Sequence, residues 1–205
     1  MQLYYHPYSS NARRALMAAE HLGIQLELIE VNLMSEADRR RLAEINDNNK
    51  IPVLVDDGFV LWESCAIMQY LADSKPGQTV YPTDPLARAD VNRWMFWSSQ
   101  HFSPAVGVIV WENVWKKVVT GVDADVNELA RGAAELARTA AVLDKHLARR
   151  RWLVWDGVTL ADYAVAAPLM YRERARLPLE DYPHLLAWLE RVEALPAWRN
   201  TEAVW

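Results

Sequence analysis

The sequence predicts an α/β domain with the element order βαβαββα, followed by a domain made only of helices. Up to about residue 74, the hydrophobic pattern alternates between the two-residue period of strands and the longer period of helices. Proline and glycine breakers then cluster over residues 75–84, and every later pattern has helical spacing. We therefore expect an α/β domain at 1–74, a linker at 75–84 and an all-α domain at 85–205.

The first domain begins with a short strand over Gln2–Tyr5 and a helix that ends before Gly23. Ser9 or Ser10 is placed to cap the start of that helix. Gly23 suits the left-handed conformation that commonly follows the end of a helix. Residues 24–31 form the second predicted strand, so the chain starts as a β-α-β unit.

A hairpin completes the predicted sheet. Residues 53–55 and 59–61 favour β structure, and Asp57-Gly58 between them is a strong hairpin dipeptide because glycine accepts positive φ. A charged helix that begins at a capping box from Ser35 precedes this hairpin. The helix that follows it has Ser64 as its natural N-cap.

Helical patterns fill the rest of the chain. A long helix is expected over about residues 85–117, bent or broken near Ser103-Pro104 because proline interrupts the hydrogen-bond ladder. A second helix spans residues 126–147. Residues 159–162 read Thr-Leu-Ala-Asp, a Thr-x-x-Asp capping box that opens an apolar helix. A last amphipathic helix begins at Tyr182-Pro183.

Composition and charge argue against several classes of function. The 205 residues carry a net charge of −5 without a basic face interleaved with aromatic residues, so no nucleic-acid partner is expected. The single cysteine, Cys65, excludes an internal disulfide framework. No basic leader and no apolar run of spanning length appear, which favours a cytoplasmic protein with no membrane partner. His101 has no second ligand at metal-binding spacing, so no metal is expected.

One module offers two features that suit a peptide ligand. In Lys50-Ile51-Pro52, the proline ring pushes Ile51 into an extended conformation at the start of a strand. The N–H and C=O of Ile51 are therefore expected to be available to an extended peptide. The helix that begins at Glu63-Ser64 offers N–H groups and a hydroxyl to an anion. A plain hairpin with a capped helix is the structural alternative.

These motifs resemble the first, thioredoxin-like domain of the soluble glutathione transferases. The resemblance rests on residues 50–54 and on Glu63-Ser64 with the helix behind them, and with the helical second domain it covers nearly the whole chain. It implies that Pro52 is cis, that Ile51 pairs with the cysteinyl backbone of glutathione, and that Glu63 and Ser64 hold the γ-glutamyl end. Lys50 is either a partner for a glutathione carboxylate or a solvated lysine at a strand start.

The expected chemistry depends on a hydroxyl near the first helix. A free thiol of the cysteine type has a pKa near ~8.5, so little glutathione is thiolate at neutral pH. A hydroxyl that donates to sulfur, next to the positive end of a helix, favours the thiolate. Ser9 and Ser10 both stand at such a helix start, and either could instead act only as a cap.

The resemblance orders the candidates for that hydroxyl. Family members with a serine near the first helix carry it five positions after the strand tyrosine, which corresponds here to Ser9 after Tyr4. In the bacterial class that uses cysteine, the cysteine position corresponds to Ser10. We therefore expect Ser9, with Ser10 and then Tyr5 as alternatives. The absence of cysteine there puts mixed-disulfide chemistry in doubt.

The resemblance implies a serine-type glutathione transferase of the bacterial, theta-, phi- or beta-like kind. We expect it to form a homodimer and to add glutathione, as co-substrate, to hydrophobic electrophiles in detoxification. The helical domain would carry the electrophile pocket, with contacts from Tyr5, Trp97 and His101. A peroxidase, dehalogenase or isomerase on the same fold, or a binding protein without catalysis, stays open as an alternative.

Overall fold

A computed structural model describes residues 1–204 and confirms the predicted fold class. The chain divides into two compact units. One contains residues 1–81 together with the segment that begins at Ala194, and the other contains residues 82–193. The second predicted domain extended to Trp205, which lies outside the described residues.

The first unit has the element order βαβαββα. Its elements are β1 (Gln2–Tyr5), α1 (Ser10–Leu22), β2 (Glu27–Glu30), α2 (Glu36–Ala43), β3 (Val53–Asp56), β4 (Phe59–Trp62) and α3 (Ser64–Asp73). The sheet order is β2-β1-β3-β4; β1 is parallel to β2 and antiparallel to β3, and β3 is antiparallel to β4. Leu3 and Leu54, which are paired across β1 and β3, are fully buried in the core.

The short sequence motifs of this unit adopt the structures that they predicted, except that the second strand is shorter than predicted. Asp57 (φ 46°) and Gly58 (φ 86°) make the hairpin turn, and both positive φ values fit a type I′ turn. Gly23 (φ 63°) ends α1 and donates to the carbonyls of Ala19 and Glu20. The predicted strand over 24–31 is shorter in the structure, because its pairing with the four-residue β1 starts at Glu27.

The second unit is all helical, as predicted. Its elements are α4 (Pro85–Trp97), a π-helical turn (Ser98–Phe102), α5 (Ser103–Val110), a second π-helical turn (Trp111–Trp115), α6 (Lys116–Thr120), α7 (Val126–Leu147), α8 (Leu160–Ala166), a 3₁₀ turn (Ala167–Tyr171), α9 (Arg172–Ala175) and α10 (Pro183–Glu193). None of the helices in residues 1–204 combines the length and apolarity needed to cross a membrane.

The long first helix of this unit was expected to be bent or broken near Ser103-Pro104, and the structure shows no break there. The chain stays helical past Pro104 to Thr120, and a π-helical turn over Ser98–Phe102 lies directly before the proline. Proline has no N–H to donate within the helix, and a wider turn accommodates the missing bond without ending the helix. The expected break is therefore a π-helical turn.

Asp162 organises the centre of the helical unit. The predicted capping box is present, with the backbone N–H of Thr159 donating to Asp162 Oδ2 at 2.8 Å. The other carboxylate oxygen accepts from the backbone of Leu153 at 3.0 Å and from the indole of Trp188 at 2.9 Å. Asp162 is fully buried, so these bonds replace the water that the carboxylate gives up on folding.

The segment from Ala194 packs on the first unit through α11 (Pro196–Arg199). The Arg13 guanidinium lies 3.9 Å from the centre of the Trp198 indole and donates to the Trp198 carbonyl at 3.0 Å. The Asn200 amide donates to the Glu20 carboxylate at 2.7 Å. These contacts place the end of the described chain against α1.

Candidate functional site

Ile51 presents an unpaired peptide backbone at the start of β3. The Ile51–Pro52 bond is cis, as the resemblance implied. Sheet pairing ends at Val53 on both sides, opposite Tyr4 in β1 and Trp62 in β4. Among residues 1–204, the N–H and C=O of Ile51 have no hydrogen-bond partner. This geometry suits the pairing of Ile51 with an extended peptide.

The turn before Ile51 is held by Asn46. Its buried amide donates to the Lys50 carbonyl at 2.8 Å, and its side-chain oxygen accepts from the Asn48 backbone at 3.1 Å. Asn49 has a positive φ of 51°, which asparagine tolerates better than most residues. Lys50 itself is exposed and has no ion-pair partner within residues 1–204. Asn46 thus holds the backbone of the turn that leads into the cis Ile51–Pro52 bond.

The start of α3 differs from the expectation that Ser64 is its N-cap. Glu63 is the N-cap residue, with φ 72°, and Ser64 is the first helical residue, 5% exposed. Neither side chain caps the helix. A positive φ in a residue other than glycine is strained, and such strain tends to occur at functional positions. The backbone N–H of Ser64 has no acceptor among the described residues.

Arg14 lies beneath this helix start, a position that was not predicted from the sequence. Its guanidinium is 3% exposed and donates to Ser64 Oγ at 3.3 Å and to Asn11 Oδ1 at 2.8 Å. Burial lowers the pKa of Arg14, an effect that the nearby Cys65 and Glu63 oppose. The sequence feature that could have indicated a buried arginine is the pair Arg13-Arg14 inside an otherwise apolar helical pattern. A buried cation therefore contacts the expected γ-glutamyl site.

Ser9 is the N-cap of α1. Its Oγ accepts from the backbone of Ala12 at 3.2 Å, which confirms the capping role. The Ser9 hydroxyl hydrogen has no acceptor within residues 1–204, and the N–H groups of Ser10 and Asn11 also lack acceptors there. Ser10 is the first residue of the helix. Three donors are thus available at the positive end of α1.

The three residues predicted to contact the electrophile line three different cavities. Tyr5 lines a groove of its own unit with residues of α1, and burial, together with Glu30, raises the pKa of its phenol. In the helical unit, Trp97 lines a large cavity beside α7, whereas the exposed His101 lines another groove with Arg131. Their predicted role with the electrophile stays a prediction.

Residues 1–204 contain no group of three or more His, Cys, Asp or Glu side chains arranged to hold a metal ion. Cys65, half-buried in the first turn of α3, forms no disulfide. The candidate site is therefore built from the Ile51 backbone, the start of α3 with Arg14, and the start of α1. It presents hydrogen-bond donors at the starts of α1 and α3, together with the unpaired backbone of Ile51.

Comparison with known proteins places this site in a family. The fold is a thioredoxin-like domain followed by a helical domain. The family model "Glutathione S-transferase, N-terminal domain" matches residues 1–73, and "Glutathione S-transferase, C-terminal domain" matches residues 105–196. Glutathione S-transferase 3 of Zea mays is 32% identical, over 99% of this chain and 93% of the relative. Glutathione S-transferase theta-2 of Mus musculus is 32% identical, over 95% of this chain and 81% of the relative.

Solved structures agree with the sequence relatives. A glutathione S-transferase from Rhodospirillum rubrum F11 has a TM-score of 0.87 at 27% identity, over 98% of this chain and 90% of that chain. Glutathione S-transferase 1-6 from Anopheles dirus species B has a TM-score of 0.85 at 28% identity, over 98% of this chain and 93% of that chain. This chain belongs to the glutathione S-transferase family.

Proposed function

We propose that this glutathione S-transferase activates glutathione through the Ser9 hydroxyl. The observation that carries the proposal is that Ser9 caps α1 through its oxygen while its hydroxyl hydrogen has no acceptor among the described residues. A hydroxyl can accept and donate at the same time. Capping and donation to a thiolate are therefore compatible roles of one side chain.

The start of α1 supplies the electrostatic part of this activation. The N–H groups of Ser10 and Asn11 have no acceptor within residues 1–204, and a helix N-terminus favours negative charge by about 0.3–1 kcal/mol. Each unit by which the thiol pKa falls corresponds to about 1.4 kcal/mol of preference for the thiolate. Tyr5 is the last residue of β1 and does not stand at the start of α1, where these N–H groups are.

The rest of glutathione is assigned to the Ile51 and α3 regions. The cysteinyl backbone pairs with the N–H and C=O of Ile51, and the γ-glutamyl carboxylate accepts from the N–H of Ser64 and from its hydroxyl. Arg14 keeps the Ser64 side chain in place and adds positive charge beneath it. Lys50 is exposed and is assigned to a carboxylate of glutathione.

The thiol proton leaves to solvent, and the bound thiolate attacks an electrophilic carbon of a hydrophobic substrate. In a substitution, the leaving group departs with its bonding electron pair as the carbon–sulfur bond forms. In an addition, the electrons of the double bond move to the neighbouring carbon, which takes a proton from solvent. Holding an ionised nucleophile next to its target accounts for the rate through proximity and electrostatics. The helical unit would supply the apolar contacts to the electrophile. We further propose a cytoplasmic homodimer, on the basis of the family alone.

Glutathione binding by calorimetry and conjugation of an aryl halide, both measured on the wild type, Ser9→Ala and Ser10→Ala, test the assignment. We expect Ser9→Ala to bind glutathione but to lose at least roughly tenfold in rate, as removal of a positioned donor does. Ser10→Ala is the matched control and should keep its rate. A rate loss in Ser10→Ala alone would move the role to Ser10, and glutathione binding without turnover in the wild type would indicate a binding protein.

A further inference from the structure

The connection between β1 and α1 is a single turn of four residues, from His6 to Ser9. The N–H of Ser9 donates to the His6 carbonyl at 2.9 Å, which closes a β-turn across Pro7 and Tyr8. Proline is favoured at the second position of such a turn because its ring presets the backbone angle φ. Ser9 is both the last residue of this turn and the N-cap of α1. The direction of the Ser9 side chain therefore depends on how firmly the turn is held.

The His6 side chain makes a second hydrogen bond inside this turn. Its Nδ1 accepts from the backbone N–H of Tyr8 at 3.3 Å. A backbone N–H can only donate, so Nδ1 is without a hydrogen and the imidazole carries its hydrogen on Nε2. The rings of His6 and Tyr8 are in contact with centroids 5.3 Å apart, and the Tyr8 hydroxyl donates to the Val204 carbonyl at 3.0 Å. His6 thus holds the residue directly before Ser9.

The same turn precedes α2, with an asparagine in place of the histidine. The N–H of Ser35 donates to the Asn32 carbonyl at 2.9 Å, and Asn32 Oδ1 accepts from the backbone N–H of Met34 at 2.9 Å. Ser35 is the N-cap of α2, as Ser9 is of α1. Asparagine is common at the first position of such turns because its side-chain oxygen accepts from the N–H two residues on. His6 therefore makes the bond that asparagine makes in the matching turn.

Ser9 is held by hydrogen bonds at three of its groups. Its N–H donates to His6, its C=O accepts from the backbone of Arg13 at 2.9 Å, and its Oγ accepts from the backbone of Ala12 at 3.2 Å. The hydroxyl hydrogen has no acceptor within residues 1–204. Two of the three bonds come from α1, and the third comes from the turn. The turn therefore decides how the remaining donor is presented outside the helix.

We propose, on the basis of the role assigned above to Ser9, that His6 is a positioning residue that fixes the direction in which the Ser9 hydroxyl donates. His6 itself does not touch the sulfur, and it acts by holding the turn through its Nδ1 acceptor. A hydrogen-bond donor stabilises a developing charge best when it is already in place, and small misplacements of a reacting group cost rate. Loosening the turn should therefore lower kcat and leave the affinity for glutathione nearly unchanged.

The test compares His6→Phe with His6→Asn in steady-state conjugation of an aryl halide by the full chain. Phenylalanine keeps a ring beside Tyr8 but has no acceptor, so kcat should fall roughly threefold to tenfold at an unchanged KM for glutathione, as expected for one lost hydrogen bond. Asparagine restores the acceptor, as Asn32 does in the matching turn, so His6→Asn should keep kcat within about twofold of the wild type. A loss of the same size in both variants would overturn the proposal.

A double-mutant cycle with Ser9→Ala separates this positioning role from the proposed function. Because His6 acts through the Ser9 hydroxyl, His6→Phe should cause no further loss of kcat in the Ser9→Ala background. An equal loss with and without that hydroxyl would show that His6 acts by another route, which overturns the positioning role and leaves the proposed function intact. A Ser9→Ala variant that keeps the wild-type rate would instead refute the role of Ser9, and the positioning role with it.

The matched control is Asn32→Leu, which removes the same side-chain acceptor from the turn before α2. Each of Asn32→Leu and His6→Phe loses one local hydrogen bond, so both should lower the free energy of unfolding in urea by similar amounts. Only His6→Phe should lower kcat, because only its turn carries the proposed donor. A kcat that falls as much in Asn32→Leu as in His6→Phe would mean that the loss follows general stability, and the positioning role of His6 would be wrong.

Discussion

The Nη1 nitrogen of Arg14 lies 3.3 Å from Ser64 Oγ and 2.8 Å from Asn11 Oδ1. This buried arginine links α1, which begins at the proposed thiol site, to the start of α3, where we place the γ-glutamyl group. Both helix starts carry backbone N–H groups without acceptors in the described chain. One buried side chain thus connects the two anion-binding ends of the candidate site.

Replacing Arg14 with Met should weaken glutathione binding. The variant removes a charge-assisted hydrogen bond to Ser64, worth about 1.5–3 kcal/mol, so the Kd measured by calorimetry should rise roughly tenfold or more. Arg13→Met is the matched control, because Arg13 is as deeply buried but contacts Trp198 instead. Arg13→Met should lower stability without changing the Kd. An equal change of Kd in both variants would mean that Arg14 acts only through general stability.

Capping and catalysis by Ser9 can be separated by substitution. Aspartate caps helices as well as serine does, so Ser9→Asp should keep the unfolding free energy, whereas Ser9→Ala should lose about 0.5–2 kcal/mol. Ser9→Asp should nevertheless lose conjugation activity, since a carboxylate next to the sulfur opposes the thiolate. Ser35→Ala removes an equivalent cap, which accepts from Asp38 at 3.3 Å, and should cost stability while activity is kept.

The buried Asp162 should be the most sensitive polar residue of the helical unit. Asp162→Ala leaves the N–H groups of Leu153, Thr159 and Trp188 without their acceptor, and each unsatisfied donor costs about 1–3 kcal/mol. We expect a loss of roughly 3–5 kcal/mol in urea unfolding. The exposed Asp123→Asn, which only breaks a surface pair with Lys117, should leave the midpoint nearly unchanged. Similar losses in the two variants would contradict this role.

Stability should fall as the solution becomes acidic, partly because of two histidines. Burial lowers the pKa of His21 and of His146 in the folded state below the usual value of about 6.5. The unfolded chain then takes up protons first, so this contribution is fully present above about pH 6.5 and is lost as the pH falls towards the folded-state values. Urea unfolding between about pH 8 and about pH 5.5 measures the slope of the unfolding free energy against pH. His146→Gln and His21→Gln should each flatten it, and an unchanged slope in both would refute the assignment.

Local signals predicted a large part of this structure. The Asp57-Gly58 turn, the Ser9 cap and the Thr159–Asp162 capping box each depend on residues within a few positions, and each is present. Two expectations differ from the structure in local backbone geometry. Glu63 takes the capping position that we expected for Ser64, and a π-helical turn replaces the break expected near Pro104.

The sequence by itself determined the order of strands and helices in the first unit and the helical character of the second, because periodicity, turn dipeptides and capping residues act over short stretches of chain. Its motifs also carried the resemblance to the family. Only the tertiary structure placed Arg14 under Ser64 and returned the segment from Ala194 to the first unit. Those relationships join residues far apart in the chain, and the burial that decides them depends on packing between elements, which no local pattern specifies.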